Sequence, residues 1–384
     1  DPSPRGTDIY LGKCAFDRVA MIVSGAGCHE PVLKRWRRGH KIDGCPPTID
    51  SIVEQIGARH PERRSEHLAA TRSERILRGL QVNPLQAQAG RGLYPLILRS
   101  LPKEAEAFAG LDLDTALACE VVCAAICHQM NWDFLRRRVA DLARSEPQQL
   151  LPSRIAMADS AFVARLLKGY ERPERIRPNE RSEMLRSLAG MFQDGAYSFS
   201  AALGIAHGGI TKGPSDIVAV LGRAKVFAED PEQKKLQVLL HNLAAAYPHS
   251  GIDAVCQPAI DYHIMRLYVR RGDVSARTRT AEEFLFGSTP RKATTVTALR
   301  VVVAEALRGV SVLTRIPLQE ANKIEWWIGR SVCTKRPDCE MNGSGGSWLR
   351  PHFPACPFKN VCYAFNSDPR LLAVREPQHE GRYY

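Results

Sequence analysis

Residues Gln257–Val274 read QPAIDYHIMRLYVRRGDV. After Asp261, the apolar residues Ile264, Leu267 and Tyr268 recur at helical spacing, so a helix opens here with Asp261 as its N-cap. The same period runs through most of the chain. Leu236, Leu239, Leu240 and Leu243 share one face of a helix within the segment Pro231 to Leu243, and Leu299, Val303, Ala306 and Leu307 mark another. The run Ala118–Ile126 is small and apolar almost all round, the pattern of a buried helix. Strand-like alternation bounded by turns is scarce. The expected fold class is therefore all-α.

Gly and Pro break the pattern at 39–47, 147–152, 170–178, 208–214 and 289–294. No repeat of fixed period interrupts it. Residues 1–105, rich in Arg and His, read as a basic extension, and 106–330 as a helical core. A cysteine-bearing loop follows at 331–365, with a tail at 366–384.

The 384 residues are enough for a sizeable core, and 44% hydrophobic with 24% charged residues is an ordinary globular composition. No apolar run approaches the length of a membrane-spanning helix. The first residues lack the layout of a secretory signal, which makes a reducing cytoplasm the expected setting. An odd count of 11 cysteines argues against a disulfide framework. The net charge of +12 favours a polyanionic partner. Its cations cluster at Lys34-Arg35-Trp36-Arg37-Arg38, Arg136–Arg138, Arg270-Arg271 and Lys335-Arg336. A Trp among cations suits phosphate contact plus base stacking.

Four late cysteines, Cys333, Cys339, Cys356 and Cys362, are spaced C-x5-C-x16-C-x5-C. Structural zinc usually takes pairs two to four residues apart, whereas gaps of five suit a larger object such as an iron–sulfur cubane. An iron–sulfur cluster ranks first on this spacing, zinc second and incidental placement third.

The sequences CTKRPDC (333–339) and CPFKNVC (356–362) resemble the iron–sulfur loop of the endonuclease III and adenine-glycosylase branch of the helix-hairpin-helix DNA glycosylases. That loop runs C-x6-C-x2-C-x5-C. This chain shares Arg336-Pro337, Cys356-Pro357 and the final five-residue gap. It differs by a first gap of five and a middle gap of sixteen that holds Gly343–Ser347 and Trp348. The family also opens a helix with its catalytic aspartate in (V/L)-D-x-(H/N)-(I/V)-x-R, matched here at Asp261, His263, Ile264 and Arg266. A third likeness is Val122–Trp132, similar to the family's buried helix ending in a glutamine that enters the duplex beside an extruded base. Gln129 is the matching position, with His128 and Trp132 beside it.

The resemblance implies two helical lobes of this glycosylase type, a [4Fe-4S] cluster on Cys333, Cys339, Cys356 and Cys362, and Asp261 as the catalytic carboxylate. Arg266, Lys335, Arg336 and Lys359 then join Gln129, His128 and Trp132 as DNA contacts. Members that also nick DNA attack the sugar with a lysine to form a Schiff base. The usual hairpin before Asp261 is absent, and Leu243 occupies its lysine position. Asp230–Leu240 is similar instead to the lysine-bearing helix of archaeal oxoguanine glycosylases. At about 100° per residue Lys235 lies at the edge of the leucine face and Lys234 points away, which favours Lys235. The adenine-branch glutamate is replaced by Ala125.

The expected function is that of a monomeric DNA glycosylase acting on a damaged or modified base in double-stranded DNA, in repair or in defence against modified foreign DNA. Associated lyase activity through Lys235 is the further expectation. Two alternatives are a nucleosidase acting on a free modified nucleoside, similar to the queuosine-salvage proteins, and a non-catalytic nucleic-acid-binding protein. The basic clusters and the cysteine loop weigh against the first, because a small substrate needs neither.

Overall fold

The computed structural model describes residues 75–374, apart from 103–106, 207–208, 231–232 and 287–292, together with the backbone of a two-residue strand pair at 10–11 and 19–20. The basic cluster at 34–38 lies outside the described residues. The described chain is mostly helical, as the apolar period leads one to expect. The elements that position the site are β1 (Leu80–Val82), α1 (Tyr94–Ser100), α2 (Leu113–Ile126), α3 (Trp132–Ser145), α4 (Pro178–Ser187), α5 (Lys234–Ala246), α6 (Tyr262–Arg271), β2 (Val274–Ala276), α7 (Ala293–Thr314) and α8 (Leu318–Ser331). None of the described helices is long and apolar enough to cross a membrane.

The chain divides into two compact units. Among the described residues, one comprises 75–101 and 260–374, and the other is 102 and 107–259. These boundaries differ from those expected. The segment from residue 75 is no separate extension, because β1 pairs antiparallel with β2, setting Leu80 opposite Ala276 and Val82 opposite Val274. Ile76, Leu77, Leu80, Tyr94 and Ile97 are buried in the same core as α6, α7 and α8. The expected core at 106–330 is cut at residue 260, and the cysteine loop belongs to the unit that α6 opens.

In the other unit α2 is the central helix. From Leu117 to Ile126 it is buried on nearly every side, and only Glu120 is half-exposed. Its Ala and Cys side chains let α3, α4 and α5 pack close around it. Asp112 caps its start through a hydrogen bond from the Thr115 N–H at 3.0 Å. Leu236, Leu239, Leu240 and Leu243 of α5 are all buried, each contributing about 1.5–3 kcal/mol. Lys235 lies on that buried face.

Two glycines shape the first unit. A Cβ on Gly329 of α8 would stand 2.7 Å from the backbone oxygen of His263, so its absence lets α8 lie against the first turn of α6. Gly272, at φ 90°, takes the left-handed turn that ends α6, the usual role of glycine after a helix.

Candidate active-site residues and the four-cysteine loop

Asp261 is 5% exposed and caps α6. Its Oδ1 accepts the N–H of His263 at 2.8 Å and of Ile264 at 3.0 Å. Among the described residues Oδ2 accepts no hydrogen bond. One oxygen holds the helix, and the other takes no part in the cap.

The far turns of α6 hold the cysteine loop. Arg266 is buried, and its Nε donates to the Cys333 carbonyl at 2.7 Å while Nη2 donates to the Gly329 carbonyl at 2.6 Å. It is therefore an internal brace and not the DNA contact expected, because its donors are drawn inward by carbonyls at the end of α8 and the loop that follows. Arg270, also buried, places Nη1 3.5 Å from the Cys333 Sγ and donates to the carbonyls of Thr334 at 2.5 Å, Lys335 at 3.1 Å and Val374 at 2.7 Å. Cys362 Sγ stands 3.6 Å from the Arg270 carbonyl, and the Cys356 N–H donates to the Cys339 carbonyl at 2.9 Å.

These contacts gather the four cysteines at one end of α6. Burial, and then the proximity of Cys333 and Cys362, pushes the Cys339 thiol up to about 11, and burial drives Cys356 higher still. Thiols gathered in this way suit a multivalent cation, whose binding releases their protons. Among the described residues no three of Cys, His, Asp or Glu surround a point at the spacing one metal ion needs. A four-iron cube spreads its thiolates over a wider span than a single zinc does. In residue type the four thiols are the donors such a cluster takes.

The insert between the cysteine pairs is folded onto the unit. Asp338 accepts the N–H groups of Asn342 at 2.9 Å and Gly343 at 2.6 Å, and Arg350 donates to the carbonyls of Met341 and Gly343. Trp348 rests against Trp327, ring centres 5.9 Å apart, with its indole N–H donating to Ser331 at 3.1 Å. Lys335 and Arg336 are exposed. Lys359 is half-buried, paired with Glu340 at 2.5 Å and lying over the Phe365 ring.

The second unit collects the remaining residues at the C-terminal end of α2. Gln129 is half-buried in the turn that follows, at φ 51°, a left-handed conformation that non-glycine residues rarely adopt. Trp132 starts α3, half-buried, with the Arg136 guanidinium 5.7 Å from its ring. His128 is expected to stack or wedge beside the DNA, yet it is 2% exposed. Its Nε2 stands 3.1 Å from Glu180 Oε1, and burial lowers its pKa to about 4, so it is neutral at pH 7.

Lys235 is 1% exposed and donates through Nζ to the Ala125 carbonyl at 2.5 Å, with the Met184 sulfur 3.4 Å away. It closes the end of α2 by satisfying one of its last carbonyls. Burial lowers its pKa to about 8, the direction a Schiff-base lysine needs. Asp230 Oδ2 accepts the Lys235 N–H at 2.6 Å and so fixes the start of α5. Sequence reasoning missed Arg181 and Glu180, both on α4 and both against the Gln129 turn. No local signal marks them, since each lies in an ordinary charged stretch.

No protein-family model matches this chain, and no curated protein matches it either.

Proposed function

We propose that this chain is a DNA N-glycosylase that removes a modified or damaged base from duplex DNA. The observation that carries the reading is Asp261: a buried carboxylate at a helix start, one oxygen held by two backbone donors and the other accepting no hydrogen bond among the described residues. Rupture of an N-glycosidic bond leaves positive charge on the sugar, and an ionised carboxylate beneath it stabilises that charge. The departing base takes the bonding electron pair, and water, or an amine, completes the sugar. The base is reached by extrusion from the duplex, at a cost of a few kcal/mol that is least for a damaged or mismatched base. Gln129 is assigned to the space the base vacates. Lys235, once its amine is free of the Ala125 carbonyl, is the candidate nucleophile for strand cleavage.

Cys333, Cys339, Cys356 and Cys362 are assigned to a [4Fe-4S] cluster, with zinc as the second choice. Such a cluster would cross-link the loop that Arg266 and Arg270 brace and would add a redox centre there. Supporting this are the neighbourhood of the four thiols and the attachment of Cys333 and Cys362 to α6, the helix that Asp261 opens.

The test is a screen of duplexes, each carrying one modified base, for release of free base by the protein and by Asp261→Asn. Release by the protein and none by the variant is the expected result. Equal release by both would remove Asp261 from the chemistry, and no release from any duplex or from genomic DNA would overturn the glycosylase reading. Iron and acid-labile sulfide in the purified protein, with absorbance near roughly 400 nm, test the cluster; zinc in a colourless protein would replace it.

A further inference from the structure

The segment Tyr170–Pro178 reads YERPERIRP, with Arg172 and Arg177 exposed and Arg175 half-buried. It is fastened to the Gln129 turn by one side chain. Arg181 of α4 is fully buried, and its guanidinium is shared between the two segments. Nε donates to the Ile126 carbonyl at 3.1 Å and Nη2 to that of His128 at 2.6 Å. Nη1 donates to the carbonyls of Arg175, at 2.6 Å, and Ile176. A planar fork can span four carbonyls in this way, and a lysine ammonium cannot. A second tie joins them where the Tyr170 hydroxyl accepts the Asn131 N–H at 3.1 Å.

Both edges of this junction hold a non-glycine residue in the left-handed region, Gln129 at φ 51° and Arg177 at φ 42°. Such a backbone is costly for a side chain with a Cβ and persists where its surroundings over-determine it. Glu180 adds to the constraint, with Oε1 3.1 Å from His128 and Oε2 accepting from Arg177 at 3.5 Å. A buried cation and two strained residues are more than a solvated loop requires.

What the junction displays is an excess of positive charge. Within 165–180 Arg165, Lys168, Arg172, Arg175 and Arg177 outnumber Glu171, Glu174 and Glu180, the last of them paired with Arg177. Glu171 and Glu174 stand 3.6 Å and 4.0 Å from their neighbours Arg172 and Arg175, exposed pairs of little strength. Phosphodiester groups are a ligand that exposed guanidiniums on a firmly held backbone fit well.

We infer that the loop Glu171–Arg177 is a phosphate-binding element in which Arg172 and Arg177 contact the DNA backbone beside the nucleotide at Gln129, with Arg181 as the positioning residue that holds loop and turn together. This rests on the DNA reading above and adds contacts that the resemblance does not supply.

The experiment measures binding of the full chain to an unmodified duplex as salt is raised. Each lost phosphate contact lowers the slope of log K against log salt by about 0.9. Arg172→Ala and Arg177→Asn (Asn tolerates a left-handed backbone) are each expected to lose that much slope and several-fold in affinity at fixed salt. Arg279→Ala, a fully exposed arginine of the other unit with the same charge change, is expected to leave the slope unaltered. Unchanged slopes in the loop variants, or an equal loss in Arg279→Ala, overturn the loop assignment while the glycosylase reading stands. A wild-type protein that binds no duplex overturns both.

Arg181→Lys keeps the charge and loses the span. Trypsin can open this loop only after Arg175, because Arg172 and Arg177 precede proline. New cleavage there with weakened binding is expected. A resistant loop with wild-type affinity removes the positioning role.

Discussion

Arg270 places its guanidinium 3.5 Å from the sulfur of Cys333, and the same side chain donates to three carbonyls, of Thr334, Lys335 and Val374. One buried cation on α6 thereby fixes both the start of the cysteine loop and the segment that follows it. Arg270→Met keeps much of the volume and leaves those carbonyls unpaired. A loss of roughly 2–4 kcal/mol is expected, read from the midpoint of urea unfolding. The four thiols should also alkylate faster under native conditions, and unaltered alkylation would show that the loop holds itself.

Asp261 serves two purposes that substitution can separate. Asn caps a helix about as well as Asp, so Asp261→Asn is expected to fold with a stability within about 0.5 kcal/mol of wild type and to lose base release by at least about 100-fold. Asp261→Ala loses the cap as well and should cost about 1 kcal/mol more. Parallel loss of stability and activity in both variants would mark the aspartate as a cap alone.

What could be read along the chain is what depends on near neighbours. The leucine face of α5, the buried run in α2, the Asp261 cap and the Gly272 stop all follow from period and local backbone preference. Arg266 shows where that reading ends. Its motif position is local, but its partner is the carbonyl of Cys333, 67 residues on. β1 likewise finds β2 nearly two hundred residues away, which is why the sequence reads as a basic extension where a core segment lies. Arg181 is the least legible of all, since arginines bound to carbonyls lack the acidic partner whose spacing would announce them.

Acid titration reports on the ion network beside the loop. Arg271 bonds Asp273 and Glu325, while the Tyr94 and Tyr268 hydroxyls donate to Glu325. Burial, with Glu325 adding to it against the pull of Arg271, raises the Asp273 carboxyl to about 6. The folded state therefore holds this proton more tightly than the unfolded chain does. Its contribution is fully present below about pH 4 and is lost as pH rises through about 6. Buried His128 and half-buried His241, both lowered to about 4, act oppositely, since protonating them costs stability as pH falls from about 6.5. The difference between wild type and Asp273→Asn isolates the carboxyl. The wild-type advantage is expected to shrink between pH 4 and 6, and a difference constant across that window would refute the raised pKa.

Lys235 yields the last prediction. Its amine is held in the interior with a pKa near 8, against about 10.4 for an exposed lysine. A Schiff base needs the neutral amine, so borohydride trapping on an abasic duplex should rise with pH through about 8 and then level off. Lys235→Ala should trap nothing, whereas Lys234→Ala, one position off the buried face, should trap normally. Because Lys235 also satisfies the Ala125 carbonyl, Lys235→Ala is expected to lose about 1–3 kcal/mol of stability, so trapping must be compared well below its unfolding temperature. An adduct that persists in Lys235→Ala assigns the nucleophile to another amine, and trapping that climbs only above pH 10 assigns it to an exposed one.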